Sequence, residues 1–192
     1  MRIIYRENAF YAQKNQKNMT IMQKKYHILP VIALVLLLTP LSVLAQNGDN
    51  PDIYLGGGLA YGEKISELGI QANGYYIYSE DIRFGGDFIY WLVDSPDGID
   101  NTWVEINANA HYLFYEEGEL TLYGIGSLGL HYWSSSASFN GGSYSASNTD
   151  LALGIGAGAE YDIDAVKLFA EPRLFLTGLD QFALSFGVRF GI

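Results

Sequence analysis

The stretch that decides the fold is the C-terminal one, residues 182–192, which reads Phe-Ala-Leu-Ser-Phe-Gly-Val-Arg-Phe-Gly-Ile. Its even-numbered residues are all large and apolar, whereas its odd-numbered residues are small or charged. A period of two is typical of a β-strand, because successive side chains point to opposite faces of the sheet. The stretch therefore predicts a strand with one apolar face and one face of small or charged residues.

The N-terminal part of the chain has the pattern of an export signal. An apolar core at residues 30–38 follows two lysines at 24–25, and it precedes Pro40 and a small-residue step at 43–45. This core is too short to cross a bilayer as a helix, and the order of basic, apolar and small residues is that of a cleavable signal peptide. An uncleaved membrane anchor is the alternative interpretation.

The same pattern divides the chain into three parts. We predict a leader and signal peptide at residues 1–45, with Met22 as the favoured true start and cleavage after Ala45. A short N-terminal segment follows at 46–51, and residues 52–192 form one domain, which their number allows.

Composition narrows the classes of partner. The 192 residues include 11 Lys and Arg against 21 Asp and Glu, and most of the basic residues fall in the predicted leader. A mature chain this acidic does not suit nucleic acid, which is bound by basic patches. The chain contains no cysteine, so its stability cannot depend on disulfides.

Turn signals divide the mature chain into eight alternating segments, and no helical pattern follows the leader. The predicted strands span residues 52–62, 65–78, 81–93, 102–115, 119–134, 149–162, 165–177 and 181–191. They are longer than most strands of soluble proteins and suit tilted strands that cross a membrane. We therefore predict an all-β fold, an eight-stranded antiparallel up-and-down transmembrane β-barrel.

The sizes of the side chains indicate which face of this barrel points outward. The interior of eight strands is barely wide enough for side chains, and the polar face is the one rich in glycine. A solvated outer face would also carry more lysine than the mature chain has. We therefore predict lipid against the apolar face and a packed polar interior. A soluble, lipocalin-like ligand-binding barrel with the opposite arrangement is the alternative.

Connection lengths predict the orientation, since outer-membrane barrels have short periplasmic turns and longer outer loops. The links near 79–81, 116–118 and 162–164 are tight, whereas those at 94–101 and 135–148 are longer. Both termini should therefore be periplasmic, and the Ser/Gly-rich longer link should be a mobile loop. Aromatic residues on the apolar face are predicted to form two girdles at the membrane interfaces, with Tyr61, Tyr90 and Tyr132 outside and Tyr76, Tyr78, Tyr112, Phe114, Tyr161 and Phe190 inside.

With these features the region 52–192 resembles the eight-stranded OmpA/OmpX-type barrels of the Gram-negative outer membrane, the outer membrane protein β-barrel domain. The resemblance rests on the strand count, the alternation of turns, the girdles and the final strand with Phe190, although Ile192 and not an aromatic residue is terminal. It implies contact with outer-membrane lipid and recognition of the C-terminal strand by the barrel-insertion machinery. It also implies a non-enzymatic structural or partner-binding role, with an extracellular ligand or protein at the outer loops. A lipid-modifying outer-membrane enzyme is the alternative.

Charged residues on the inward face should pair, because unpaired charges are costly in a narrow interior. The predicted interior charge network comprises Arg83, Asp87, Glu105, Glu160, Lys167, Glu171, Arg173 and Arg189. We interpret it as a structural network that fills the barrel, with a proton or ion path as the alternative. Pro172 interrupts one of the strands that carry it, and a local bulge is expected there.

The three tryptophans of the chain, Trp91, Trp103 and Trp133, lie at strand ends and are predicted to cluster at the outer rim. They form either an aromatic mouth that stacks on a sugar or lipid headgroup, or a hydrophobic lid or displaced girdle, which we favour. Asp94, Asp97 and Asp100 recur in the second outer link without the EF-hand spacing, so we interpret them as a solvated acidic loop.

Two histidines, His111 and His131, also point inward by their position in the pattern. A hydrolase needs a nucleophile and a base at close range. Lipid A deacylases use a His-x-Ser step on an eight-stranded barrel, and the corresponding residue here is Trp133. We therefore predict no catalytic residue, no cofactor and no metal site.

Overall fold

The computed structural model describes residues 52–96, 98–139, 142–178 and 180–192. The predicted leader, the cleavage after Ala45 and the segment 46–51 lie outside these residues. Within them, no helix has the length and apolar character needed to cross a membrane.

Eight antiparallel strands make up the described part of the chain. They are β1 Ile53–Gly62, β2 Glu67–Ile77, β3 Ile82–Trp91, β4 Ile99–Glu117, β5 Leu120–Phe139, β6 Gly142–Ile163, β7 Val166–Phe175 and β8 Gln181–Gly191. Each strand pairs with the next along the chain, and β8 pairs with β1, so the sheet closes into an up-and-down barrel. The predicted fold class is confirmed.

The closing pair joins the two ends of the domain. Leu55 of β1 lies opposite Phe190 of β8, and Ala60 lies opposite Ser185. Closure gives every strand a hydrogen-bonded neighbour on both sides, so no strand edge is presented to lipid along the paired segments. The membrane-facing wall is therefore held by hydrogen bonds that detergent cannot replace.

This closure predicts a heat-modifiable protein. In a detergent gel, the unboiled mature protein should migrate faster than the boiled one, because the barrel stays compact until heat opens its closed ladder. The comparison of boiled and unboiled samples of the same refolded preparation measures this. Equal mobility of the two samples, together with a product that is soluble without detergent, would contradict the membrane assignment.

The alternation in β8 sorts its side chains between the two faces as predicted. Phe182, Leu184 and Phe186 are exposed on the outside, whereas Ala183 and Ser185 are completely buried. The apolar face is therefore outward, which is the opposite of a lipocalin-like barrel. Phe190 differs from its predicted position in a girdle: it is only 8% exposed beside Leu55 and is packed instead of presented to lipid.

Glycines on the inner face provide the space that the large interior side chains occupy. Gly85 lies opposite Tyr75 in the sheet, and a Cβ atom added to it would lie 2.5 Å from Tyr75 Cδ1. Gly158 lies opposite Tyr123, and a Cβ atom there would overlap the tyrosine ring. The small residues therefore lie where the narrow interior has no room for a second side chain.

The segment 135–148 was predicted to be a loop, but its described residues, 135–139 and 142–148, continue the strands β5 and β6. Its two halves pair in register, with Ser135 opposite Ala146 and Ser138 opposite Ser143. The prediction of a loop was wrong because β5 and β6 extend beyond the residues that pair with β7, at the end of the barrel that carries the longer connections. Both faces of these segments then meet water, and small polar residues on both faces conceal the period of two.

The start of β4 pairs with this continuation of β5, with Ile99 opposite Ala137. We call these three segments, residues 99–102, 134–139 and 142–149, the outer extension. They project at the end that carries the longer connections, which in outer-membrane barrels is the extracellular end.

Pro172 interrupts the ladder without shifting it. Gly156 pairs with Arg173 and Ala159 with Ala170, so the register is the same on both sides of the interruption. The predicted bulge is therefore absent at this position, since the proline only removes one donor from an otherwise straight pairing. A register shift occurs instead between Leu113 and Tyr115, near the periplasmic end of β4.

Candidate functional site

The interior of the barrel is occupied by a network of buried charges with Arg189 of β8 at its centre. Nη1 of Arg189 pairs with Glu160 of β6, and Nη2 lies 2.5 Å from Oε1 of Glu171 of β7. The guanidinium also donates to the hydroxyl of Tyr123 at 2.9 Å and to Oδ1 of Asn73 at 3.1 Å. Arg189 thereby links side chains from five strands, its own included, and is itself completely buried.

A second buried arginine, Arg173 of β7, pairs with Asp87 of β3 at 2.6 Å. Asp87 also accepts hydrogen bonds from the side-chain amides of Asn107 at 2.9 Å and Asn109 at 2.6 Å. Arg173 donates a longer bond, 3.3 Å, to the hydroxyl of Ser185. Both carboxylate oxygens of Asp87 therefore accept hydrogen bonds, as a buried charged group requires.

Arg83 of β3 completes the network by pairing with Glu160 at 2.8 Å. Glu160 is therefore shared between Arg83 and Arg189. Strand β3 is hydrogen-bonded to neither β6 nor β7, so the pairs of Arg83 with Glu160 and of Arg173 with Asp87 cross the interior from one wall to the other. Charges that bridge the interior in this way tie the walls together and occupy the space between them.

Two of the eight predicted network residues lie elsewhere. Lys167 is 22% exposed and pairs with Asp162 at 3.0 Å, near the periplasmic turn. Glu105 is completely buried, but it accepts a hydrogen bond from Gln181 at 3.0 Å, and its other oxygen lies 3.5 Å from Nε2 of His131. The other six, Arg83, Asp87, Glu160, Glu171, Arg173 and Arg189, are the ones the structure brings together.

Sequence reasoning from charge placed His111 on the inward face but missed the neutral side chains that hydrogen-bond to the network. The hydroxyl of Tyr123 donates to Glu171 at 2.8 Å, and Asn109 contacts both Asp87 and the hydroxyl of Tyr75. His111 is stacked between Tyr75 and Tyr123, with ring centroids 4.3 and 4.6 Å away. The inward position of these residues in the alternating pattern was the signal that could have identified them.

At the outer end of the barrel, the sheet register aligns the three tryptophans in one row. Trp91 of β3 lies opposite Trp103 of β4, and Trp103 lies opposite Trp133 of β5. Trp91 is completely buried with Ala60 and Ile89, and Trp103 is partly buried against that cluster. Trp133 is 37% exposed, so the row leads from a packed floor to an indole in contact with water.

Beside this row lies a cavity of about 330 Å³, which we call the outer pocket. The residues that line it include the apolar Ile65, Val93, Trp103 and Trp133 and the acidic Glu67 and Asp94. Residues at the base of the outer extension supply further polar groups to its lining.

Hydrogen bonds hold the pocket wall between strands. The backbone N–H of Asp94 donates to Oε1 of Glu67 at 3.3 Å. The side-chain amide of Asn101 donates to the carbonyl of Asp94 at 3.0 Å, and its backbone N–H donates to the hydroxyl of Ser95 at 3.0 Å. The connection between β3 and β4 is thus tied both to β2 and to the start of β4.

The acidic residues of this connection were interpreted as a solvated loop, and the structure describes two of the three. Asp94 and Asp100 are exposed, and Asp97 lies outside the described residues. Across the described part of the chain, no group of three or more His, Asp or Glu side chains is placed to hold a metal ion.

Comparison with known proteins gives similarity in structure only. No protein-family model matches the chain, and no curated protein matches it in sequence. Among solved structures, it is similar to Neisserial surface protein A, NspA, at 21% identity, covering 73% of this chain and 97% of that one, with a TM-score of 0.55. The N-terminal β-barrel domain of Pseudomonas aeruginosa OprF matches at 15% identity, with coverage of 73% and 96% and a TM-score of 0.51. Ail of Yersinia pestis, solved with the heparin analogue sucrose octasulfate, matches at 20% identity, with coverage of 72% and 96% and a TM-score of 0.50.

The chain has the fold of the eight-stranded outer-membrane barrels. The outward face of the barrel suits contact with lipid, because large apolar residues such as Leu153, Ile155 and Phe186 are exposed around the wall. Side chains of this kind are stable on the outside only against lipid. The protein is therefore a β-barrel of the outer-membrane type with a lipid-facing wall.

Proposed function

We propose that this outer-membrane barrel is a non-enzymatic protein that recognises an extracellular partner at its outer end. The observation that carries the proposal is the contrast between the two parts of the molecule. Buried ion pairs fill the interior, while the outer end carries a pocket and a three-stranded extension in water. Loops and extensions on a rigid barrel are where recognition usually lies.

The interior network acts as a structural element in this proposal. Arg83, Arg173 and Arg189 each bind a carboxylate directly, and these contacts join strands that are not neighbours in the sheet. Eight strands leave an interior that side chains can fill, whereas wide pores need many more strands. A role in holding the barrel rigid fits this geometry better than an ion path.

A lipid-modifying enzyme is the alternative function, and the surroundings of the histidines do not favour it. His131 faces Glu105 and packs edge-on against Phe175, with ring centroids 4.8 Å apart. His111 lies between two tyrosine rings in the interior. Both imidazoles are therefore on the inner side of the wall, away from the lipid that such an enzyme would modify.

The C-terminal strand, β8, is the segment through which this proposal assigns a second partner, the machinery that assembles the barrel. Its alternating residues 181–191 complete the barrel by pairing with β1, so this strand must be delivered to the closing edge during assembly. We assign recognition by the barrel-insertion machinery to this strand, which contains Phe190.

Shortening the outer extension tests the recognition role. In the variant, residues 134–147 are replaced by Asn-Gly, which suits a two-residue hairpin turn, so that Trp133 and Asn148 remain as paired strand ends. Non-adherent bacteria that display the intact barrel should be retained several-fold better than vector-only cells on at least one of three surfaces, coated with mucin, fibronectin or lipopolysaccharide. Bacteria that display the shortened barrel should lose this retention.

The control for this test is the folded state of the shortened protein. Its heat-dependent mobility should be the same as that of the intact protein, because the removed segments lie above the closed part of the sheet. Equal retention of intact, shortened and vector-only cells on all three surfaces would contradict a recognition role at this end.

A further inference from the structure

The row of tryptophans gives the outer pocket an aromatic wall on a fixed support. Trp103 is packed against Trp91, which is itself completely buried with Ile89, so the floor of the row cannot easily rearrange. Trp133 is paired with Trp103 across the strands and remains 37% exposed at the pocket. An indole surface held in water beside a rigid apolar floor gains free energy when an apolar ligand face covers it.

Most of the rest of the pocket lining is polar, unlike the tryptophan wall, and this contrast limits the class of ligand that the pocket can bind. The lining also includes Glu67, Asp94, Asn101, Thr102, Ser134 and Ser135, residues whose side chains carry two carboxylates, one amide and three hydroxyl groups. Carboxylates accept hydrogen bonds, whereas hydroxyls and amides both donate and accept. A ligand that uses the whole pocket must therefore have a flat apolar face and several hydroxyl groups around its edge. An acyl chain would leave the polar groups unpaired, and a simple ammonium ion would leave the hydroxyls unused.

We propose that the outer pocket binds one or two sugar rings, either neutral or carrying an amine. The C–H face of a pyranose would stack on Trp133, and its hydroxyls would donate to the carboxylates of Glu67 and Asp94. The volume of about 330 Å³ is at the small end of the range of about 300–1,000 Å³ for ligand pockets, which suits a short glycan terminus. This inference rests on the proposed function, since it names the class of ligand recognised at the outer end.

The charge of the lining separates this site from one that binds sulfated glycans. The described residues that line the pocket include two acids and no basic residue. A sulfate or carboxylate on the sugar would therefore meet like charges, which is unfavourable. Ail was solved with sucrose octasulfate, a polyanion, so this chain is expected to differ from it in the charge of the ligand.

Intrinsic fluorescence tests the proposal directly, because the three tryptophans of the chain all belong to this row. The folded mature protein in detergent micelles is titrated with glucose, glucosamine and glucose 6-sulfate, and each titration is repeated by calorimetry. Glucose and glucosamine should give saturable changes in emission and measurable heats. Glucose 6-sulfate should bind at least about tenfold more weakly than glucose, since a tenfold loss corresponds to a modest repulsion of about 1.4 kcal/mol.

Two variants assign the binding to the pocket. Trp133→Ala should weaken glucose binding by about tenfold or more, because it removes the exposed stacking surface. Tyr144→Ala is the matched control, since Tyr144 is an aromatic residue that is 75% exposed on the outer extension and does not line the pocket, and it should bind glucose as the intact protein does. Glu67→Gln should weaken the binding of glucosamine more than that of glucose, because it removes one of the two acidic residues of the lining. Heat-dependent mobility of each variant shows that it is folded.

Three results would overturn the proposal. They are an absence of saturable binding for both glucose and glucosamine, an equal affinity in the Trp133→Ala variant, and binding of ethanolamine as tight as that of glucosamine with none of glucose. The last result would indicate a cation site. If the sugars fail to bind while the shortened outer extension still abolishes cell retention, the sugar inference is wrong and the recognition role stands.

Discussion

Replacing Arg189 with methionine is expected to lower the free energy of unfolding by about 3–5 kcal/mol, the usual cost of removing one partner from a buried ion pair. The loss is large because Arg189 is the shared partner of Glu160 and Glu171, and all three side chains are buried. Glu160 keeps Arg83, but Glu171 loses its direct cation. Urea unfolding in lipid vesicles, followed by tryptophan emission, measures the change.

Lys167→Met is the matched control. It removes a basic residue that is also on an inner strand position, but its pair with Asp162 is partly exposed at the rim of the barrel. Such exposed pairs are worth about 0–1 kcal/mol, so this variant should remain close to the intact protein. Equal destabilisation by the two substitutions would show that the interior pairs do not act as a buried network.

A double variant separates the lost attraction from the charge left behind. In Arg189→Met/Glu171→Gln, a neutral amide replaces the carboxylate that lost its cation. Part of the stability lost in the single variant should therefore return. The hydroxyl of Tyr123, which donates to Glu171, can also donate to the oxygen of the glutamine amide. A double variant that is less stable than Arg189→Met alone would argue against an uncompensated charge as the cause.

Phe186→Arg is expected to impair insertion most strongly among changes to the outer wall. Phe186 lies midway along β8, and its ring is exposed on the lipid-facing side. Arginine near the middle of the bilayer costs about 2–4 kcal/mol in outer-membrane barrels. Folding yield into lipid vesicles, read from the heat-dependent mobility on gels, should fall sharply relative to the intact protein.

Tyr144→Arg is the control for this substitution, because it makes the same kind of change at another exposed aromatic residue. Tyr144 lies on the outer extension, where no β7 partner continues the wall, and its side chain is 75% exposed. Arginine there meets water and should leave the folding yield unchanged. If the two variants fold equally well, the apolar face does not lie against lipid, and the result would favour the alternative interpretation, a soluble barrel.

The sequence alone was sufficient for the number of strands, their order and the assignment of the two faces. Lipid favours large apolar residues on one face of a strand, and the crowded interior favours small or charged residues on the other. In a run such as 182–192, each pair of neighbouring residues therefore shows which face is outward. The predicted strand boundaries agree with the observed ones within a few residues wherever one face meets lipid, as in β8, predicted at 181–191 and observed at Gln181–Gly191.

The outer extension shows where this reasoning failed. Above the membrane both faces of a strand meet water, so the selection that produces the alternation is lost. Residues 135–148 therefore had the composition of a loop, although residues 135–139 and 142–148 form regular pairs in the sheet. The pairing there follows from the neighbouring strands, which hold β5 and β6 in register as they leave the barrel.

The sequence by itself determined the class of this protein, which inward residues are charged, and that three tryptophans lie near strand ends. Only the tertiary structure decided which charges meet, because Arg83 and Glu160, or Arg173 and Asp87, come together across the interior from strands that are far apart in the chain. It also decided that Trp133 lies in one row with the other tryptophans and borders a pocket. The physical reason is that the register and closure of the barrel set these distances, and both depend on the pairing of all eight strands together.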